Sequence, residues 1–504
     1  MTEQTTFGPF CLDRSRRQLT RGGHVIPIGH RGYLLIAALL EAGGEAVSKD
    51  VLMERVWPGT AIEEGSLTVQ ISALRRQLGE GAGAMIVTVP RIGYRLVRQA
   101  EISVAQKSGL PLIAVLPFAQ YGDGVDDGYF VDGIADDIIT ALSRFKAFAV
   151  LSRSSSFALR DRGEGAVAAA VTLGVRYALE GSVRRMAERL RVTAQLIDAS
   201  SGTQLWAERY DGALADVFSF QDRITENVVA IIEPTIRKAE IERVRRKPAA
   251  NLDAYDLFLK ALPLFYAPGP EGHANAMALF HRSAALDPSF ASPRAYAAWI
   301  YERRISMRHP PLGNNDRQEA LDLARSALAQ GGGDPLIIVI CAWVLFRLAG
   351  DPTAVQAVRR ALEDNPNHVL VLHLATAVLG MAGLADEAFK HNLRAYELSP
   401  SSPESYQFLQ GIGAAELQRG NNEEAIGWCL KSLATFNDWL FTYITLVAAY
   451  VNLDRMDEAR SALQRVRELH PTLTMRAIED DVAQQDGFAD AVIPGLRKAG
   501  LPEC

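Results

Sequence analysis

Hydrophobic and polar residues follow three successive patterns along the chain, and each pattern predicts a different kind of structure. In the stretch SLTVQISALRRQL (66–78), apolar residues recur at steps of four, three and four, the spacing of one face of an α-helix. These apolar residues are Leu67, Ile71, Leu74 and Leu78. The opposite face holds Val69, Ser72, Ala73 and Arg76, flanked by Thr68 and Arg75. An ordinary exposed helix is richer in Glu and Lys, so this face is either plain surface or shaped to enter a partner.

The elements around this helix predict a winged helix (α+β) for residues 1–100. Three strand-like runs come first, three helices follow, and two β-rich arms end the segment as a hairpin. The strands are expected at 7–12, 18–21 and 24–28, the helices at 31–42, 49–56 and 66–78, and the hairpin at 84–97. Ser48 is placed to cap the second helix by accepting a hydrogen bond from an amide group left open at its start.

The second pattern, over 111–240, alternates strands with helices and then adds a strand meander, which predicts an α/β sandwich-like domain. Strands are expected at 112–118, 147–153, 176–186, 189–199 and 203–211, and helices at 136–145, 166–174 and from about residue 215 through Pro234. The run RKAEIERVRRK (237–247) could contact phosphate groups, but its interleaved Glu240 and Glu242 favour a solvated connecting helix.

The third pattern is a repeat of helix pairs that covers 251–490. Small anchor residues recur at steps of 44, 34, 34, 37 and 34; they are Ala276, Ala320, Ala354, Ala388, Ala425 and Ala459. Proline follows four of the anchors by twelve residues, at Pro288, Pro366, Pro400 and Pro471. Small residues allow the two helices of a pair to cross closely, and proline ends the second helix. The pattern predicts an all-α solenoid of about six repeats, with Gly383 and Gly420 in turns between paired helices.

Composition and charge narrow the class of protein. With 504 residues, 48% of them hydrophobic and 22% charged, the chain is expected to be an ordered protein of several domains. No apolar run approaches the roughly 18 residues of a membrane span, no signal peptide is recognisable, and the four cysteines are scattered, so we expect a cytoplasmic protein. Residues 1–100 hold 12 Lys and Arg against 9 Asp and Glu, whereas the remainder holds 41 against 50. This asymmetry permits nucleic-acid contact at the amino terminus without requiring it.

The first domain resembles the OmpR-type winged-helix DNA-binding domain, through SKDVLMERVWPG, SLTVQISALRRQLG and TVPRIGYRL. The resemblance implies that the third helix enters the major groove and that the hairpin, or wing, touches the minor groove or the backbone. By position, the implied DNA-binding residues are Ser66, Thr68, Val69, Gln70, Ser72, Ala73, Arg75, Arg76 and, at the wing tip, Arg91. Basic residues that are common in the family at the positions of Ser72 and Ala73 are missing.

Three further features refine the resemblance. TVP followed by a basic residue is similar to the ToxR/CadC branch of these regulators, whose members often lack a receiver domain, and no receiver domain is recognisable before the first strand. The segment 111–240 resembles the TolB amino-terminal-like domain through IAVLPF, YFVDGIADDIITALSR and LGVRYALEGSVRR, which implies a regulatory or ligand-binding role. The repeats resemble tetratricopeptide repeats, whose concave face commonly takes a peptide or a protein; self-association is the alternative.

Chemistry-bearing motifs are scarce. The carboxylates of DGVDDGYFVDGIADD could bind a cation, but their spacing does not fit a calcium loop, and acidic groups are favoured near a helix start. No phosphate-binding loop, nucleophile elbow or zinc-protease motif occurs, and no histidine lies between His30 and His273. We therefore expect no catalytic residue, no metal site, no cofactor and no enzyme activity.

Together these patterns predict a cytoplasmic, DNA-binding transcription regulator. Its partners are expected to be double-stranded DNA and a protein or peptide on the repeats, with no membrane partner, while the central and repeat domains sense a ligand or partner protein. The alternative hypothesis is a protein-interaction scaffold that binds DNA weakly or not at all. Loss of affinity with rising salt would separate the two, because a DNA-binding protein releases counterions on binding.

Overall fold

A computed structural model of the protein describes residues 4–7, 10–21, 24–42, 47–58, 64–78, 86–89, 93–96, 110–121, 128–157, 159, 166–186, 189–213, 216–248, 251–267, 269–400, 402, 404–482 and 486–504. By contacts between residues, the chain divides into two compact units, Met1–Val228 and Val229–Cys504. No helix in these ranges combines the length and the apolar character that crossing a membrane requires.

The first unit begins with the expected winged helix. An antiparallel sheet of β1 (Gln4–Phe7), β2 (Phe10–Asp13), β3 (Gln18–Arg21) and β4 (His24–Ile26) precedes α1 (His30–Glu41), β5 (Val47–Ser48), α2 (Lys49–Val56) and α3 (Glu64–Leu78). Strands β6 (Ile86–Val89) and β7 (Gly93–Leu96) form the wing, in a sheet of order β5-β7-β6. The single strand expected at 7–12 is wrong. Phe7 pairs with Phe10 in two antiparallel strands, so two strands stand where the sequence predicted one.

Local sequence accounts for how these helices are placed. The Ser48 hydroxyl accepts a hydrogen bond from the backbone N–H of Val51 at 3.3 Å, which confirms the expected cap of α2. The core between the sheet and the helices combines aliphatic and aromatic side chains; Leu12, Leu19, Leu35 and Leu52 have no exposed surface. Burying one such side chain contributes about 1.5–3 kcal/mol.

The central elements form the predicted α/β arrangement. They are β8 (Leu112–Val115), β9 (Ala119–Tyr121), α4 (Gly128–Leu142), β10 (Ala149–Val150), α5 (Arg153–Phe157), α6 (Ala166–Thr172), β11 (Tyr177–Met186), β12 (Arg189–Asp198) and β13 (Thr203–Ala213). The sheet order is β10-β8-β11-β12-β13, and β9 pairs with β11. The strand expected at 147–153 is wrong beyond Val150, because a short helix follows from Arg153.

Helix α7 (Val217–Arg245) runs through Pro234, as the sequence predicted. The solvated character expected for its last turns is wrong for Glu240, which has no exposed surface. Arg243 reaches the Glu240 carboxylate at 2.8 Å and Asp256 at 3.0 Å. A glutamate counted as solvent-facing by its charge is therefore a buried member of an ion-pair network, which is tolerated because the opposite charge and the hydrogen bonds accompany it.

The second unit is the predicted helical repeat, and its helices follow α7 in pairs. The first members of the pairs are α8 (Ala254–Tyr266), α10 (Ser292–Ser306), α12 (Pro335–Ala349), α14 (Val369–Met381), α16 (Ser405–Gln418) and α18 (Leu440–Asn452). The second members are α9 (Pro270–Leu286), α11 (Asp316–Gly331), α13 (Thr353–Asp364), α15 (Ala385–Leu398), α17 (Asn422–Thr435) and α19 (Met456–Leu469). Helices α20 (Met475–Val482) and α21 (Asp486–Ala499) complete the unit.

The anchor residues of the repeat occupy equivalent positions in successive helix pairs. All six anchor alanines lie on the second helix of a pair and are at most 3% exposed. The four prolines each stand two residues beyond the last residue of such a helix. The array also curves back on itself, because the Arg308 guanidinium after α10 donates to the carbonyl of Ala477 in α20 at 2.8 Å.

The turn within a pair uses a left-handed residue in five of the repeats. Gly350, Gly383 and Gly420 have φ of 65°, 77° and 83°, and Arg308 and Asp454 hold the same place with φ of 55° and 58°. Glycine adopts this conformation without penalty, whereas a side chain costs roughly 1–2 kcal/mol there and Asp is among the better tolerated. The sequence predicted the turns at Gly383 and Gly420, and the structure confirms both.

We therefore expect Asp454→Gly to stabilise the array by up to about 1 kcal/mol, since it removes the strain of a left-handed side chain. The ion pair that it also removes, with Lys498 at 3.6 Å, joins exposed groups and contributes little. Thermal unfolding of the full chain measures the effect. Gly420→Ala is the matched reverse change, because a Cβ there meets nothing within 4 Å, and it should lower the midpoint. Equal midpoints for the two variants would contradict the account.

Candidate nucleic-acid interface

Helix α3 separates into a buried and an exposed face as its sequence pattern predicted. Leu67, Ile71, Leu74 and Leu78 are each at most 1% exposed and join the core formed with α1, α2 and the strands. This stripe fixes the rotation of the helix about its own axis. Packing of this stripe therefore keeps the opposite face of α3 turned outward, without any contact made by the residues of that face.

The outward face combines short polar side chains with one apolar residue and one arginine. Ser66, Thr68, Val69, Ser72 and Arg76 are exposed, and Gln70 and Ala73 are partly buried. Val69 is 67% exposed. Covering this apolar side chain with a binding partner would lower the free energy, because it removes apolar surface from water. A face of this size and chemistry can approach base edges closely, with a thymine methyl as an apolar partner.

One hydroxyl group and one guanidinium group on α3, those of Ser72 and Arg75, already have hydrogen-bond partners within the domain. The Ser72 hydroxyl donates to the carbonyl of Thr68 at 2.9 Å, which leaves its oxygen as an acceptor toward the outside. Arg75 donates through Nε to the carbonyl of Ile86 at 3.0 Å, and through one terminal nitrogen to that carbonyl at 2.6 Å and to the Thr88 hydroxyl at 2.9 Å. Arg75 thus ties α3 to strand β6 of the wing, a role that its sequence position did not reveal.

Arg76 differs from its neighbour because it is exposed on the outward face, one helical step of about 100° away. Other cations of the domain are paired elsewhere: Glu41 receives Arg14 at 2.9 Å and Arg55 at 2.6 Å. The ring of Trp57 lies 5.4 Å from the guanidinium carbon of Arg31. Three of the nine residues predicted to bind DNA are arginines. Of these, Arg76 is exposed on α3, Arg75 is partly buried, and Arg91 lies outside the described residues.

The wing is fixed to the domain at Gly93. Strand β7 pairs with β5 as well as with β6, and a Cβ on Gly93 would lie 2.0 Å from the carbonyl oxygen of Val47. Real side chains never come this close to backbone, so only glycine allows the pairing. Tyr94 beside it is 4% exposed and packs in the core.

We expect Gly93→Ala to destabilise the winged helix by about 1–3 kcal/mol, because the methyl group must push β7 away from β5. Gly65→Ala is a matched control on α3, since a Cβ there meets nothing within 4 Å. Hydrogen exchange at the amides of β5 and β7 should accelerate in the first variant and stay unchanged in the second. Equal protection in the two variants would show that β5 and β7 stay paired with a Cβ at position 93, which would contradict this account.

The acidic stretch of the central domain does not assemble a metal site among the described residues. Asp136 pairs with Arg153 at 3.2 Å, and Asp137 accepts a hydrogen bond from Gln221. No cluster of three or more His, Cys, Asp or Glu side chains suited to a metal occurs in the described ranges. Asp123, Asp126 and Asp127 lie outside those ranges.

The winged-helix region matches a known family. Residues 23–96 fit the family described as "Transcriptional regulatory protein, C terminal", a match that includes α1, α2, α3 and the wing. The transcriptional regulator HilA of Salmonella typhimurium is 33% identical over 145 residues, which are 28% of this chain and 25% of that protein. The first domain is therefore of the OmpR type in fold, as the sequence predicted.

Two other similarities extend beyond this region. "Putative adenylate cyclase 3" of Rhizobium meliloti is 36% identical over 225 residues, which are 45% of this chain and 38% of that protein. The solved APC/C hetero-tetramer Cut9-Hcn1 has a chain that is 13% identical, with a TM-score of 0.39, over 56% of this chain and 49% of that one. The chain thus matches 25% of the length of HilA and 38% of the length of the cyclase.

Proposed function

We propose that the protein is a cytoplasmic transcription regulator that binds double-stranded DNA through α3 and the wing. The observation that carries the proposal is the outward face of α3, where an exposed valine and arginine stand among small residues above a buried stripe. The match of residues 23–96 to a regulatory family and the similarity to HilA support it. No catalytic activity is included in the proposal.

In this proposal eight of the nine residues predicted from sequence contact DNA, and the ninth, Arg75, holds the recognition elements in position. Val69 and Ala73 press on thymine methyls, and Arg76 reaches a guanine edge or a phosphate. Ser66, Thr68, Gln70 and Ser72 contact neighbouring polar groups, and Arg91 touches the backbone or minor groove from the wing tip. Arg75 acts as a positioning residue, because its donors hold the carbonyl of Ile86 and the hydroxyl of Thr88.

The proposal divides the remaining work between the TolB-like domain (111–240) and the repeats (251–490), which receive a ligand or a partner protein. The proposal gives the two buried cysteines of the repeats, Cys341 and Cys429, no role as nucleophiles. Burial raises the pKa of the Cys341 and Cys429 thiols, and a protonated thiol is a poor nucleophile. The cyclase named among the relatives shares 38% of its length with this chain, so its activity is not carried over.

Duplex binding by the full chain at different salt concentrations tests the proposal. We expect the affinity for a mixed-sequence duplex, measured by fluorescence anisotropy, to fall roughly tenfold or more between about 50 and 200 mM salt, because several phosphate contacts release counterions. No binding, or binding that ignores salt, would favour the interaction scaffold and refute the regulator.

A further inference from the structure

Strand β13 is the outer strand of the central sheet. The strand order β10-β8-β11-β12-β13 leaves its far side without a partner among the described strands. The strand is 11 residues long, and its pairing with β12 is regular from Trp206 to Ala213, because the one irregularity lies between Leu196 and Ile197. An open edge of this length presents a row of backbone N–H and C=O groups that another strand could use.

Charged residues on an edge strand usually repel other chains, but here the charges are self-complementary. Arg209 and Asp211 point to the same side of the sheet, since they are two residues apart. Their side chains are 62% and 52% exposed, and the Nε of Arg209 lies 3.6 Å from an Asp211 oxygen. One strand therefore displays a cation and an anion, symmetrically placed on either side of Tyr210.

Two copies of β13 can pair antiparallel about a two-fold axis perpendicular to the sheet, with one residue facing its own copy. An axis at Glu208, Arg209 or Asp211 sets a like charge directly against itself, which destabilises the pair. An axis at Tyr210 sets Arg209 opposite Asp211 twice, and it sets Ala207 opposite Ala213 and Glu208 opposite Gly212. This register has two attractive pairs and no like-charge pair.

We propose that β13 is a homodimer interface, in which the strands of two copies pair antiparallel about Tyr210 and join the two central sheets into one. Its occupant is a second copy of this chain, chosen by the reciprocal pairing of Arg209 with Asp211. The interface does not depend on DNA binding and goes beyond the regulator function.

One neighbouring feature fits this interface. Asp211 is held in its charged form, because the hydrogen bond from Arg191 lowers the pKa of its carboxyl group, with Arg191 Nε at 2.7 Å.

Sedimentation velocity of the full chain tests the proposal through a charge exchange. We expect the wild type to dimerise between about 1 and 100 μM. Arg209→Asp places two acids against Asp211, and Asp211→Arg places two arginines against Arg209, so each variant alone should dimerise roughly tenfold or more weakly. An equimolar mixture should recover the dimer, because the altered strands are complementary to each other. Arg184→Asp, an exposed arginine on β11, is the control and should dimerise normally.

A crosslink provides a second measurement that does not depend on charge. With the exposed Cys504 and partly exposed Cys11 replaced by serine, Tyr210→Cys should form a disulfide-linked dimer on mild oxidation, because directly opposite residues lie within disulfide range. Thr203→Cys should not, since its own copy would be about 45 Å away along the paired strands. A wild type that stays monomeric, or charge variants that dimerise normally, would overturn the proposal. So would a mixture that fails to recover while the Tyr210→Cys crosslink is absent.

Discussion

Replacing Arg76 by alanine is expected to weaken duplex binding by about 1–3 kcal/mol if the residue reads a guanine edge. If the residue contacts a phosphate instead, binding weakens evenly across sequences and the salt slope falls by about one. Arg76 lies on the exposed face of α3, away from the buried stripe. The variant should therefore fold like the wild type, and anisotropy titrations over several duplexes and salt concentrations separate the two kinds of contact.

Arg75→Ala is the matched comparison, one residue away on the same helix. Its removal leaves the carbonyl of Ile86 and the hydroxyl of Thr88 without their guanidinium donors, so we expect lower stability of the winged helix together with weaker binding. Arg76→Ala should change binding alone. If both variants bind DNA as the wild type does, α3 is not the recognition helix, whatever the fold of the domain.

The contrast between these two arginines separates what helical spacing predicts about α3 from what depends on tertiary packing. Helical spacing alone oriented α3, because Leu67, Ile71, Leu74 and Leu78 must share one buried face. The same spacing put Arg75 at the flank of the opposite face, but its partner, Ile86, comes eleven residues later in a strand. Which strand lies beside a helix depends on tertiary packing, which no local pattern encodes.

The same limit explains the other differences. The repeat anchors were predictable because each pair repeats the same close crossing, and Ala388 and Ala425 are both buried. The burial of Glu240 was not predictable, since it depends on Arg243 and on Asp256 of the next helix. The short helix from Arg153 follows only two strand residues, Ala149 and Val150. An apolar run of this length fits a helix and a strand equally well.

Acidification is expected to destabilise the helical array well above the pH at which carboxylates protonate. Burial, with a smaller contribution from nearby arginines, lowers the pKa of His273 and His368 to about 4; the two side chains are 2% and 5% exposed. In the unfolded chain these groups have a pKa of about 6.5. The folded state thus binds fewer protons, and stability that is present above pH ~6.5 is lost as the pH falls toward 4.

Between pH 7 and about 5.5 each of these two histidines should contribute a loss of about 1 kcal/mol, or about 2 kcal/mol together. Asp and Glu stay ionised in this window, since their unfolded pKa values lie near 4. Urea unfolding followed by tryptophan fluorescence measures the loss, because Trp299, Trp343, Trp428 and Trp439 lie in the array. His368→Gln should flatten the dependence on pH, whereas the exposed His281→Gln should leave it as in the wild type. A free energy of unfolding that does not change from pH 7 to 5.5 would mean that both imidazoles can take up a proton where they stand, which their burial opposes.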